Sequence, residues 1–295
     1  MKQSLSYYIT LFIIKIKGVK KDFNHDPIDF KKIRKEDIHH PSSKFFKRNL
    51  LSTFKISDSL ISEIGKDQCS DRLLIFIHGG AFISGPAEHH WNAVKEIAKK
   101  MDCKIWMCDY PKAPENEITN ISENIDAIYS EAQKNYEANQ ISILGDSVGG
   151  TLATALVQRL ILKKLKLPAK LILVTPVMDA SMSNPKIKTF EKIDPMLSKK
   201  GVLSAKKMCA GNKDLKDQMI SPLYGNFEGF PSTVLFLAKK DILYPDAKLA
   251  EIKMKKSNVN MRVIEGENMP HIWPFLPVMK EAKTSLNQMI RLIKT

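Results

Sequence analysis

The chain has 295 residues, 33.4 kDa and 43% hydrophobic side chains, enough to bury one sizeable core, and it reads as a single domain over 1–295 rather than two small ones. It carries 46 basic against 32 acidic residues, but six arginines leave 40 lysines scattered as pairs such as Lys20-Lys21 and Lys239-Lys240, with no zinc-finger, aromatic RNA-binding or helix-turn-helix signature. That excludes nucleic acid as the partner, and Cys69, Cys103, Cys108 and Cys209, with no C-x-x-C pair or histidine ligand set, exclude a zinc site or disulfide framework and suit reduced thiols in a cytoplasmic protein.

At the N-terminus, Leu5 to Ile16 is apolar behind Met1-Lys2, but Lys15 and Lys17 interrupt it. It falls short of the roughly 20 residues of a membrane span, and no small-x-small cleavage site follows. Leu5, Tyr8, Ile9, Phe12 and Ile16 stand at helical spacing and predict an amphipathic helix. Such a helix covers an active site or lies on a membrane, where Lys15, Lys17, Lys20 and Lys21 suit an anionic surface. From residue 73, short apolar runs alternate with helical patterns, the signature of a mostly parallel sheet covered on both faces. Strands are expected at 73–77, 104–109, 141–144, 171–175, 234–238 and 261–264, and helices near 89–101, 119–137, 148–166, 246–257 and 276–293. Two segments break the alternation: about 1–48, helical and rich in lysine, and about 181–220, with Asn184-Pro185, Asp194-Pro195 and a helix at 198–210. Ligands sit at the carboxyl ends of strands, so both segments are read as parts of one lid.

Gly145-Asp146-Ser147-Val148-Gly149-Gly150 lies between the strand at 141–144 and the helix that follows. A sharp strand-to-helix turn with small neighbours holds a serine hydroxyl out of the sheet edge. Taken alone, the motif also suits close packing or a phosphate on the helix N-terminus. A serine hydroxyl needs a base and a group to orient that base. Of seven histidines, His271 stands in a loop after the last strand, where the chain order serine, acid, histidine puts the base. Asp241 lies just past the strand 234–238; Asp246 is the competitor, at the start of the next helix, where acids are common as caps. The turn His78-Gly79-Gly80-Ala81-Phe82 offers backbone amides for an oxyanion, those of Gly80 and Ala81 joining that of Val148, with Gly79 in the same turn.

With H-G-G, G-D-S-x-G-G, Asp241 and His271 in this order, the chain resembles the hormone-sensitive-lipase-like family of α/β-hydrolase esterases. Asp109-Tyr110-Pro111-Lys112-Ala113-Pro114-Glu115 is similar to that family's D-Y-R-L-A-P-E, and Ser221-Pro222-Leu223-Tyr224-Gly225 to its S-P-L-Y-G. The resemblance implies an α/β-hydrolase fold with an N-terminal helical cap, Ser147 as nucleophile, His271 as base, Asp241 as orienting acid, and no cofactor or metal. Three departures stand out: Ala81 replaces a glycine, Pro111 replaces an arginine whose structural bond is expected to be missing, and Ile272 replaces a glycine beside Trp273 and Phe275. The function expected is hydrolysis of small or medium acyl esters, small-molecule partners, through an acyl-enzyme. A noncatalytic ligand-binding protein on the same fold, or a hydrolase of lactones, amides or acetylated sugars, stays open. Oligomeric state, a homodimer included, also stays open.

Overall fold

Apolar runs that are buried on both faces need neighbours on both edges, and in the computed structural model, which describes residues 3–66 and 71–294, they find them in one eight-stranded sheet. The strands are β1 (Leu50–Ile56), β2 (Ser59–Ile64), β3 (Leu73–Ile77), β4 (Lys104–Asp109), β5 (Ile141–Asp146), β6 (Lys170–Val174), β7 (Ser232–Lys240) and β8 (Met261–Pro270). Their order is β1-β2-β4-β3-β5-β6-β7-β8. All pairings from β4 to β8 are parallel, whereas β2 runs antiparallel to both β1 and β4. All five residues of β3 are buried, and each such side chain stabilises the fold by about 1.5–3 kcal/mol.

The helices are α1 (Leu5–Lys17), α2 (Val19–Asp22), α3 (Phe30–Ile33), α4 (Phe46–Asn49), α5 (Glu88–Lys100), α6 (Ile118–Asn135), α7 (Val148–Leu162), α8 (Ile187–Ile193), α9 (Lys199–Ala210), α10 (Tyr244–Lys256) and α11 (Lys280–Lys294). One core cluster joins α6, α7 and α10 to one face of the sheet, and another joins α5 and α11 to the opposite face. The six strands expected from 73 onward are present, β7 and β8 longer than their apolar runs. Proline sets two helix ends away from the expected ones. Pro245 occupies the first turn of α10 and starts it at Tyr244, and Pro277 delays α11 to Lys280. The hairpin of β1 and β2 was not expected. It closes at Ser57 and Asp58, with Ser57 at φ 49°, and its outer strand buries only Ile56 fully, so the apolar signal there is weak.

The two segments outside the alternation touch each other. The Gly201 amide donates to the Phe23 carbonyl (3.0 Å), the Ile28 amide to Ser204 Oγ (3.0 Å), and Ser198 Oγ to Asn24 Oδ1 (2.9 Å). Among the described residues no helix is long and apolar enough to cross a membrane. Cys103, Cys108 and Cys209 are buried thiols, and Cys69 lies outside the described residues.

Candidate active site

β5 ends on Asp146 and α7 begins on Val148, so Ser147 alone makes the turn between them, at φ 51°, ψ −120°. A non-glycine residue with positive φ is uncommon and costs on the order of 1–3 kcal/mol. The surroundings hold it there: the Ser147 amide donates to the Val174 carbonyl (2.9 Å), and the Ser147 carbonyl accepts from Gly150 and Val177 (both 3.1 Å). Close approach demands the glycine at 149. A Cβ there would sit 2.0 Å from the Ile77 carbonyl oxygen and 2.7 Å from that of His78. The helix therefore passes directly against the end of β3, and the serine hydroxyl is carried to the carboxyl edge of the sheet.

The turn after β3 meets the elbow there. A Cβ on Gly79 would lie 3.0 Å from the Ser147 Cβ. The Gly79 amide donates to Asp146 Oδ1 (3.0 Å), which ties the two turns together and removes Gly79 from the set of amides open to a substrate oxygen, a correction to the expectation from sequence. The amides of Gly80, Ala81 and Val148 donate to no acceptor among the described residues. Ala81 and Phe82 have φ of 55° and 66°, so alanine occupies a left-handed position where the family's glycine would be unstrained.

Asp146 has a second partner. His90 Nδ1 accepts the Ala87 amide (2.9 Å), which puts the ring proton on Nε2, facing Asp146 Oδ2 at 3.3 Å. His89, His90 and Asp146 bring three potential metal-ligand atoms within 4.8 Å, but that proton is already committed, and a metal on Nε2 would need an imidazolate. His90 and Asp146 are thus spent on positioning. His78 is also buried; Nδ1 donates to the Gly79 carbonyl (2.6 Å), the ring stacks on Tyr110 at 4.5 Å, and burial drives its pKa well below the usual histidine value.

β7 and β8 deliver the acid and the histidine. His271 Nδ1 lies 2.7 Å from Asp241 Oδ2, and Asp241 Oδ1 accepts the Leu243 amide (2.8 Å). The competing Asp246 sits in the first turn of α10, bonded to Asn184 Nδ2 (2.8 Å), and burial raises its pKa to about 6. Burial pulls the His271 pKa down, but the charge and hydrogen bond of Asp241, then the charges of Asp194 and Asp146, leave it above the ordinary value. Ile272, next in chain, is left-handed at φ 47°, ψ 29°, its amide on Thr175 Oγ1 at 3.2 Å. A β-branched residue there is strained.

Asp194 was not singled out from sequence for any site role. Its carboxylate is buried and accepts the amides of Met196 (2.7 Å), Leu197 (2.8 Å) and Ile242 (2.9 Å), the last being the residue after Asp241. Burial, then the Asp241 charge, pushes its pKa up, and the three amides pull it back. The Asp194-Pro195 dipeptide signals a turn and nothing more; the contact with Ile242 exists only in the fold. The segment around Pro111 is held by other bonds. Arg34 donates to the Ile83 and Ala113 carbonyls (both 2.7 Å) and to Glu115 (2.6 and 2.8 Å), and Asp109 pairs with Lys112 and His39.

Two clefts lie away from this cluster. One of 590 Å³ includes Phe54, Glu63 and Trp106, and one of 350 Å³ includes Arg72, Cys103 and Lys170. The candidate site is thus marked by its side chains, not by the size of a hollow; Ser147 is 8% and His271 5% exposed.

A family model described as alpha/beta hydrolase fold matches residues 74–275. The chain is 30% identical over 204 residues to an esterase of Acinetobacter venetianus, a match covering 68% of this chain and 66% of that one. It is 27% identical over 216 residues to the esterase LipU of Mycobacterium tuberculosis, covering 69% of this chain and 68% of the relative. The matches thus span about two thirds of these relatives' own length. A crystal structure of an esterase from the bacterial hormone-sensitive lipase family superimposes with a TM-score of 0.87 over 99% of this chain and 98% of that chain, at 22% identity, a likeness of fold.

Proposed function

Because the chain belongs to the α/β-hydrolase fold family, on the side of the hormone-sensitive-lipase-like esterases, we propose that it is a serine carboxylesterase. Ser147 Oγ attacks the ester carbonyl while His271 Nε2 takes its proton, and Asp241 on Nδ1 holds the tautomer and stabilises the imidazolium. The amides of Gly80, Ala81 and Val148 receive the oxyanion, each such donor being worth about 100- to 1000-fold in rate. The proton then passes from His271 to the departing alkoxide as the tetrahedral species collapses to the acyl-enzyme. Water, losing a proton to His271, attacks that acyl group, and as the second tetrahedral species collapses His271 returns the proton to Ser147 Oγ, releasing the acid and restoring the free serine.

The observation that carries this reading is the 2.7 Å contact of His271 with Asp241 at the same sheet edge as the strained Ser147. The segments 1–48 and 181–220 act as one cap, supported by their mutual hydrogen bonds and by the bond from Ile242 to Asp194. Small or medium acyl esters are the substrates. The test is hydrolysis of a p-nitrophenyl ester series from acetyl to dodecanoyl. Wild type turns over the shorter members and Ser147→Ala does not; equal inertness of both on every chain length would end the enzyme reading.

A further inference from the structure

Helix α1 turns its apolar side outward. Tyr7, Thr10 and Ile14 are buried, and Tyr7 Oη donates to the Asn268 carbonyl (2.7 Å), three residues before His271. The start of the helix is locked to α11: the Ser4 amide and Oγ donate to Glu281 (2.7 and 2.8 Å), and the Lys280 amide donates to Ser6 Oγ (3.0 Å). Its end is capped by Gly18, whose amide bonds the carbonyls of Ile14 and Lys15. The helix is therefore docked through its inner face and its N-terminal end, yet Leu5, Tyr8, Ile9, Phe12, Ile13 and Ile16 stand exposed, from 42% to 76%. Among the described residues they are six of the thirteen exposed large hydrophobic side chains. At 3.6 residues per turn they fall within an arc of about 140°, with Lys15 and Lys17 at its two edges. Single exposed apolar residues need no explanation; a continuous helical face does.

We propose that this face docks on an anionic bilayer surface, the six side chains entering the acyl boundary while Lys15 and Lys17 reach the headgroups. Charge selects this occupant. Helix α1 has no acidic residue, so the same face of a second copy offers Lys15 and Lys17 no countercharge, whereas anionic lipids neutralise them. The chain's net charge of +14 adds long-range attraction to the same surface. Docking sets the inner side of the helix, and with it the ends of β7 and β8, beside the bilayer, from which an apolar ester can enter. Adsorption itself is independent of the chemistry proposed for Ser147.

The experiment is co-sedimentation of the full chain with vesicles of phosphatidylcholine alone and of equal parts phosphatidylcholine and phosphatidylglycerol. Wild type partitions to the anionic vesicles and releases with added salt. Phe12→Asp with Ile16→Asp weakens partitioning by at least about tenfold. Lys15→Gln with Lys17→Gln weakens it by about fivefold per lysine, and Leu162→Asp, at an exposed site on α7, leaves it unchanged. Unaltered thermal unfolding in each variant shows that the fold is kept. Wild type left in the supernatant, or partitioning indifferent to Phe12→Asp with Ile16→Asp, overturns the proposal. So does a concentration-dependent dimer dissolved by the same substitutions, which would make a second copy the occupant.

Discussion

Gly149→Ala is expected to damage stability and catalysis together, because the added Cβ meets backbone rather than side chains. It would lie 2.0 Å from the Ile77 carbonyl oxygen and 2.7 Å from its carbon, about 1.4 Å inside an ordinary contact at the first of these. Neither atom can yield without distorting β3, which pairs with β4 on one side and β5 on the other. The helix must move instead, and Ser147 with it. Overpacking of this kind costs about 3 kcal/mol or more, roughly 6–12 °C in melting temperature at about 2–4 °C per kcal/mol. A displacement near 1 Å in a reacting group costs about 100-fold in rate. Gly65→Ala is the control, since its Cβ would find its nearest neighbour at 3.4 Å. The assay pairs thermal unfolding with kcat/KM on p-nitrophenyl acetate. If Gly149→Ala matched Gly65→Ala in both, the close approach of α7 to β3 would not be what holds the elbow.

Other expectations follow from single contacts. Asp241→Asn should lower kcat by about 10³- to 10⁴-fold with the fold intact, while Asp246→Asn should leave kcat within about threefold; steady-state kinetics of the two variants decide between the acids. His271 works as a base only when neutral, and its pKa lies above the ordinary value, so activity should rise with pH through a midpoint above 6.5. Asp194→Asn removes one of the charges that raise that pKa and should move the acid limb of the kcat/KM profile to lower pH, with kcat on the plateau changed far less; a merely structural Asp194 would lower the plateau and leave the midpoint in place. Ala81→Gly relieves a left-handed alanine at φ 55° and should raise stability by up to about 1 kcal/mol, read as a melting shift of a few degrees.

The parallel sheet was legible because its strands are buried on both faces and their apolar runs are continuous, as at Leu73–Ile77. The β1–β2 hairpin was not, because an edge strand carrying Ser52, Thr53 and Lys55 toward solvent leaves no such run, and Ser57-Asp58 lacks the Asn-Gly turn signal. Ser147, Asp241 and His271 could be proposed from sequence because they stand at strand ends in a fixed chain order, and the fold sets His271 2.7 Å from Asp241. Asp194 and His90 could not be singled out, since their work depends on which amide or carboxylate the fold brings to them: Ile242 for Asp194, Asp146 for His90. The first helix was recognised as amphipathic, but only the bonds from Tyr7 to Asn268 and from Ser4 to Glu281 reveal that its apolar side faces outward.

The most direct measurement is covalent labelling with a serine-reactive fluorophosphonate, followed by mass spectrometry of the modified peptide. The account predicts one label per chain, on Ser147, with complete loss of ester hydrolysis, no label on Ser147→Ala, and strongly slowed labelling of Asp241→Asn. A label on another residue, or hydrolysis that survives full modification of Ser147, would contradict it.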